Sequence, residues 1–401
     1  MRVVFLNPSG ALGGAETALL DMLAALAEAR PAWTMGLVAS ADGPLVANAR
    51  TMGITSIPLT FPPSFARVGE WGSRDGVAGR VRLGASLVAA SVPTMRYAAR
   101  LRQHLSEFLP DIVHTNGLKM HLLGARTCPP SARLVWHMHD YPDVRPVSAR
   151  LLSMHASRCA AVIANSESVA TRTRRLFGPT PPVHTIYNAV DLERFQPEGA
   201  RLDLDTLANL PPLPSGDIRI GLVATLARWK GHEVFLDALA KLRGTGGVRG
   251  YVIGGPIYQT DASQFSLPEL RALAAARGLG DTVGFTGRLD DVPSALRSLD
   301  IVVHASVEPE PFGLAIAEAM ASGRPVVVSR AGGAAEIAEA GALFHSPGNA
   351  DELAQAIAQL AGDAALRSSL GAAGRRAALR LFGRQRFSDA LVPLYESLVT
   401  R

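Results

Sequence analysis

Ten short apolar runs, each followed by a turn and a stretch of helical periodicity, set the limits on what this chain can fold into. Five lie at residues 3–6, 34–39, 111–114, 133–138 and 161–164, and five at 218–223, 250–254, 283–285, 301–304 and 325–328. Runs without an alternating polar face read as parallel strands buried between helical layers. Two βαβ series of this kind predict an α/β protein with two doubly wound sheets. A chain of 401 residues is long enough for two domains that each bury a core of their own.

Residues 196–217 contain Pro197, Pro211, Pro212, Pro214 and two glycines, a composition that breaks regular structure and predicts a linker. The expected domains are therefore 1–195 and 218–380. Residues 381–401 form a terminal helix with Phe387, Leu391, Leu394 and Leu398 on one face, packing back toward the first domain. Residues 61–102 leave the βαβ rhythm and carry seven Arg against Glu70 and Asp75. Their apolar positions, Val81, Leu83, Leu87, Val88, Val92, Met95 and Leu101, fit two readings: a basic amphipathic helix in peripheral contact with an anionic membrane, or helices packed on their own domain.

Composition excludes several classes. Hydrophobic residues make up 48% of the chain and charged residues 19%, which is ordinary for a globular protein and wrong for a disordered one. Cys128 and Cys159 have neither CxxC spacing nor a Cys/His cluster beside them, so no disulfide framework and no metal site is expected. The first apolar run is too short for a signal peptide, and 83–95 is too short to span a bilayer. A cytoplasmic protein, at most peripheral at the inner face of the membrane, is the expectation. Residues 1–195 hold 20 Lys and Arg against 13 Asp and Glu, whereas 196–401 hold 20 against 22. A basic first half suits an anionic surface or a phosphate-bearing substrate; because 37 of the 40 basic residues are Arg, compositional bias explains part of the excess. Nucleic acid is not an expected partner.

The stretch Glu308–Gly323, EPEPFGLAIAEAMASG, follows the run at 301–304 and reads as strand, loop and helix start. Pro311 suits the first helical position, which would leave the N–H groups of Phe312, Gly313 and Leu314 free to bind an anion at the positive end of the helix. Glu310 beside that start can accept two sugar hydroxyls, and Glu318, about two turns on, can reach a ribose diol. Arg228 and Lys230 follow the run at 218–223, at the sheet edge where α/β proteins bind ligands, and can neutralise a diphosphate. Cations there stabilise a leaving nucleoside diphosphate as it gains charge. In the first half, Gly13 and Gly14 open a helix after the first strand, a turn that can cradle phosphates or a sugar and is also common as a plain tight connection.

Together these residues resemble the retaining glycosyltransferases of the GT-B fold, specifically the glycosyltransferase group 1 (GT4) family. The motifs are the E-x7-E pair Glu310 and Glu318, Arg228 with Lys230, GGAE at 13–16, YNAVDLERF at 187–195, FTGRLDDVPSAL at 285–296 and GGAAEI at 332–337. The resemblance implies two facing Rossmann-like domains with a ligand cleft between them. It implies that Arg228 and Lys230 bind the diphosphate, Glu318 the ribose, Glu310 the transferred sugar, Phe312 to Leu314 the ligand through their backbone, and the chain near Arg288 and Leu289 the base. It also implies that His139, in WHMHD, faces the donor sugar, and that Ser166 lies in an interdomain motif, where it also suits a helix N-cap. Asn116, in DIVHTNG, departs from the second histidine of many relatives.

The expected activity is metal-independent transfer, with retention, of a sugar from a UDP- or GDP-linked donor to a glycan, lipid-linked or small-molecule acceptor, with no other cofactor. No residue stands out as a nucleophile, which favours a front-face mechanism. The alternatives are a non-catalytic sugar- or nucleotide-binding relative, and a nucleotide-sugar epimerase or phosphorylase on the same fold.

Overall fold

The computed structural model describes the backbone of residues 1–66, 76–244, 247–256, 263–338 and 341–400, with side chains throughout except at 66 and 76–91. It divides into two compact units. The first comprises Met1–Asn165, Val169–Ile186 and Ser388–Arg401, and the second Ser166–Ser168 and Tyr187–Phe387.

The first unit holds seven parallel strands: β1 (Arg2–Asn7), β2 (Thr34–Ala39), β3 (Thr55–Pro58), β4 (Ile112–Asn116), β5 (Arg133–Met138), β6 (Ala161–Ala164) and β7 (Val183–Thr185). Their order is β3-β2-β1-β4-β5-β6-β7. β1, β4, β5 and β6 are buried almost throughout because helices cover both faces, which is why they lack alternation. Val4, Leu6, Val113 and Trp136 share one core cluster with Leu101, Leu105, Leu123 and Leu152 from the helices.

The second unit holds six parallel strands: β8 (Ile218–Val223), β9 (Val248–Ile253), β10 (Val283–Gly287), β11 (Ile301–His304), β12 (Val326–Ser329) and β13 (Ala342–His345). Their order is β10-β9-β8-β11-β12-β13. Tyr251, Val302, Val326 and Val328 pack against Ile316, Met320 and Phe382 in one cluster. Ile220, Leu222, Val303 and Val327 pack against Phe235, Leu239 and Ile357 in another. In both sheets the strand order reverses about the first strand, at β1/β4 and at β8/β11, so a crevice opens at the C-terminal ends of those pairs.

The expected linker at 196–217 needs correction. The chain enters the second unit at Tyr187, and 196–217 is part of it. Asp205, 4% exposed, accepts from Arg249 Nη1 at 2.7 Å, from Arg219 Nη2 at 2.8 Å and from the Tyr251 hydroxyl. Prolines prevent long helices here, but a buried carboxylate with three donors anchors the segment to β8 and β9. At the other end, Ser388–Arg401 belong to the first unit, where the Tyr395 hydroxyl meets His114 Nδ1 at 2.5 Å.

Within 61–102, the helix Gly76–Phe108 buries Leu101 and exposes Val92 and Met95. Val81, Leu83, Leu87 and Val88 fall outside the described side chains. Among the described residues no helix is long and apolar enough to cross a membrane.

Candidate functional site

At the β8/β11 reversal, two loops are locked together. β8 leads to a short 3-10 turn, Arg228–Lys230, closed by Gly231 at φ +75°. Val307 N–H donates to the Trp229 carbonyl at 2.8 Å, pinning this turn to the chain just beyond β11. The contact is so close that a Cβ on Gly231 would lie 1.8 Å from the Ala305 carbonyl oxygen. Gly231→Ala combines a left-handed conformation with a backbone clash. It is expected to lower the melting temperature by several degrees and to displace Lys230; thermal unfolding of the variant beside Gly244→Ala, also at positive φ but with open space around it, separates the clash from the strain.

The locked loops place Lys230 Nζ 2.5 Å from Glu310 Oε2. His304, the last residue of β11, brings Nε2 to 3.3 Å from the same oxygen, and Ser306 Oγ lies 3.3 Å from it and 2.9 Å from His304 Nε2. Glu310 is 8% exposed. Burial alone would favour its protonated form, but the Lys230 ammonium and the bond with His304 outweigh burial and hold the carboxyl down at about 2. The site thus keeps a full negative charge beside a full positive charge in a nearly dry setting, which is the arrangement for gripping a polar, charged ligand.

The helix that follows starts later than its sequence suggests. Pro311 is not its first residue: the helix is Leu314–Ala321, and Gly313 at φ +90° is its N-cap. The cause lies in the backbone, since Gly333 N–H takes the Glu310 carbonyl at 2.8 Å and the Ser166 hydroxyl takes that of Pro311 at 2.6 Å. Those bonds hold 310–312 in a bent, non-helical path. The N–H groups of Phe312, Gly313 and Leu314 make no backbone hydrogen bond among the described residues, so the helix start does present its amides. The Phe312 ring is buried and packs edge-on against Phe382. Glu318 lies on the same helix, 9% exposed.

Arg228 shares the turn with Lys230 but bonds Glu269 Oε1 at 3.1 Å and lies over the Phe265 ring at 4.2 Å. Arg288 and Leu289 follow β10 at the same sheet edge, with Arg288 exposed and its Cβ 3.2 Å from where a Cβ on Gly255 would stand.

Gly13, Gly14 and His139 belong to the first unit. Gly13 caps the helix Gly14–Ala29, and its N–H donates to Glu16 Oε2 at 3.1 Å while Asn7 Nδ2 donates to Glu16 Oε1, also at 3.1 Å. Glu16 therefore clamps the glycine turn to the end of β1. His139 follows β5 and donates through Nε2 to Asn116 Oδ1 at 3.0 Å, so the residue that departs from the family pattern is the one that fixes the imidazole. Burial lowers the His139 pKa to about 4. The motif GGAAEI also gains a role: Glu336 accepts the N–H of Glu167 at 2.9 Å and of Ser168 at 3.0 Å, and the Tyr187 hydroxyl at 2.6 Å. The sequence reading missed His304, Ser306, Glu16 and Glu336 as members of these networks.

With this geometry in place, comparison with known proteins is decisive. The family model of glycosyl transferases group 1 matches residues 206–377, and that of Glycosyltransferase Family 4 matches residues 12–194. The chain belongs to the group 1 glycosyltransferases. The crystal structure of Anabaena Alr3699/HepE in complex with UDP and glucose superposes with a TM-score of 0.81 at 26% identity, covering 99% of this chain and 100% of that one. Sucrose-phosphate synthase from Thermosynechococcus elongatus shares the fold, with a TM-score of 0.77 at 21% identity over all of both chains. The two parallel sheets with flanking helices are those of GT-B glycosyltransferases. A D-inositol 3-phosphate glycosyltransferase of Jonesia denitrificans is 32% identical over 250 residues, which cover 59% of this chain and 57% of the relative. A GDP-mannose-dependent phosphatidylinositol monomannoside mannosyltransferase of Mycobacterium tuberculosis is 28% identical over 253 residues, 60% and 62% of the two chains. The matched part thus spans less than two thirds of these curated relatives.

Proposed function

We propose that this protein transfers a sugar, with retention and without a metal, from a UDP- or GDP-linked donor to a hydroxyl of a glycan, a lipid-linked sugar or a small molecule. The observation that carries the reading is the buried Lys230–Glu310 pair at the reversal of the second sheet, beside a helix start with unused amides. The diphosphate would draw Lys230 and Arg228, the amides of Phe312 to Leu314 would add dipoles, Glu310 would take the sugar hydroxyls and Glu318 the ribose. Arg288 and Leu289 stand where a base could rest. The complex of HepE with UDP supports a nucleotide-linked donor.

Breaking the anomeric bond leaves negative charge on the diphosphate, and fixed cations favour that state over the ground state. The departing oxygen accepts the proton of the attacking hydroxyl on the same face, so the protein supplies position and charge rather than a nucleophile. His139, neutral at pH 7 because its pKa is about 4, suits a sugar hydroxyl rather than a phosphate. Gly13 and Gly14 would let a ligand approach the backbone closely; among the described residues a Cβ on Gly14 would meet nothing within 4 Å. The basic first half suits acceptors bearing phosphate, the class named for the inositol-phosphate relatives, and peripheral contact with an anionic membrane through 61–102 belongs to the same reading.

A panel of nucleoside diphosphates tests the donor site. One of UDP or GDP at about 100 times its Kd should stabilise the fold by about 2.7 kcal/mol, and Glu318→Ala should remove that protection. Protection by no nucleotide points instead to a non-catalytic relative. NMR of the product's anomeric carbon reads retention directly.

A further inference from the structure

We infer that His304 and Ser306 are positioning residues that hold the Glu310 carboxylate when Lys230 moves to the donor's diphosphate. This rests on the donor-site reading above. Lys230, His304 and Ser306 all converge on one oxygen, Glu310 Oε2. A diphosphate offers more charge than one carboxylate, and the Lys230 ammonium sits on a flexible stem that can follow it. Glu310, almost wholly buried, would then lose the Lys230 ammonium, and weakening the compensation of a buried carboxylate favours protonation or displacement. A protonated or displaced Glu310 no longer accepts two sugar hydroxyls.

His304 and Ser306 stay beside the carboxylate. Both sit on rigid backbone, since His304 pairs with Val328 of β12 and its carbonyl accepts His345 Nε2 at 3.2 Å. Glu310 can only accept when ionised, so His304 Nε2 carries the hydrogen and donates. Ser306 has one hydrogen, which the protonated Nε2 cannot accept, and it too is left for the carboxylate. The other ring nitrogen, Nδ1, is buried with no hydrogen-bond partner among the described residues. An imidazole kept merely for packing is an expensive choice, because that orphan nitrogen costs free energy that a phenyl ring would not. The hydrogen bond from Nε2 is what the ring contributes.

The test uses the full chain and compares UDP with UDP-glucose and GDP with GDP-mannose by titration calorimetry. His304→Phe keeps the ring volume and removes the donor, whereas Gln places an amide nitrogen near the position of Nε2. For whichever pair the wild type binds, the Phe variant should weaken the sugar nucleotide by about 10- to 100-fold, the range for a lost bond to a charged group, and leave the free nucleotide within about twofold. The Gln variant should recover most of the loss. Ser306→Ala, a smaller change, should shift the same ratio in the same direction and stands in if the Phe variant does not fold. Unchanged sugar-nucleotide binding in the Phe variant, or equal loss of both ligands in Phe and Gln variants, overturns the inference while the donor site stands. Wild-type protein that binds neither member of either pair overturns both.

Discussion

Lys230→Ala should lose about 10²- to 10³-fold in turnover, the range for deleting one preorganised group that stabilises transition-state charge. It should also lose stability. Lys230 and Glu310 side chains are 18% and 10% exposed, and removing one partner of a buried pair costs about 3–5 kcal/mol, somewhat less here for the residual solvent. The two losses have separable causes. Adding Glu310→Gln to Lys230→Ala removes the stranded charge, so the double variant should regain most of the stability and none of the activity. Lys230→Arg should keep the stability and recover only part of the activity, since a planar fork cannot reproduce a point charge. Urea unfolding at pH 7.5 and steady-state kinetics read both; a Lys230→Ala protein as stable as the wild type would show that the pair is not coupled. The pH dependence has a definite sign. The Glu310 pKa is lowered when folded, so its contribution is present above pH 4.5 and is lost as pH falls toward 2.

The sequence displayed the fold where strands are buried on both faces and concealed it at the edges. β1, β4, β8 and β11 are apolar runs because helices cover them above and below. β3, β7 and β13, three of the four sheet edges, are only three or four residues long and read TSIP, VHT and ALFH, where half-solvated edges tolerate Ser, His and Pro; the fourth edge, β10, shows its run because Val283, Gly284 and Phe285 are buried. The site divides in the same way. Lys230 and Glu310 were legible because a cation after one central strand and a carboxylate after its neighbour must meet at the reversal. His304 looked like any strand-end residue, and its role depends on Glu310 folding back beside it six residues later. Pro311 misled because a proline before a helix is most often its first residue. Here the competing pull came from Gly333, 22 residues downstream, and no local pattern carries that.

Acidification should unfold this protein well above the pH at which Glu310 gives way. His114, His121 and His137 are buried in the first unit with His139 half-buried beside them; the His114 and His137 rings are 5.2 Å apart and the His137 and His139 rings 4.1 Å apart. Burial holds the His114 pKa at about 3 and the His139 pKa at about 4, and drives those of His121 and His137 well below the ordinary value. In the second unit His232 falls to about 4 and His345 is lowered, again through burial. A folded pKa below the unfolded one means that the unfolded chain binds more protons, so this stability is complete above about pH 6.5 and drains away as pH falls toward 4. At 1.36 kcal/mol per unit, His114 and His139 alone remove on the order of 5 kcal/mol by pH 4.5, comparable to the whole stability of many domains. The first unit, with three buried rings and the half-buried His139 against two, should unfold first. His137 offers the sharpest control, because both its ring nitrogens are buried without a hydrogen-bond partner among the described residues. His137→Leu forfeits no hydrogen bond and should be neutral or stabilising at pH 7.5 while making the urea midpoint fall less steeply between pH 6.5 and 4.5. A midpoint that stays level from pH 7.5 to 5 in the wild type would mean that the buried rings take up protons without opening the fold.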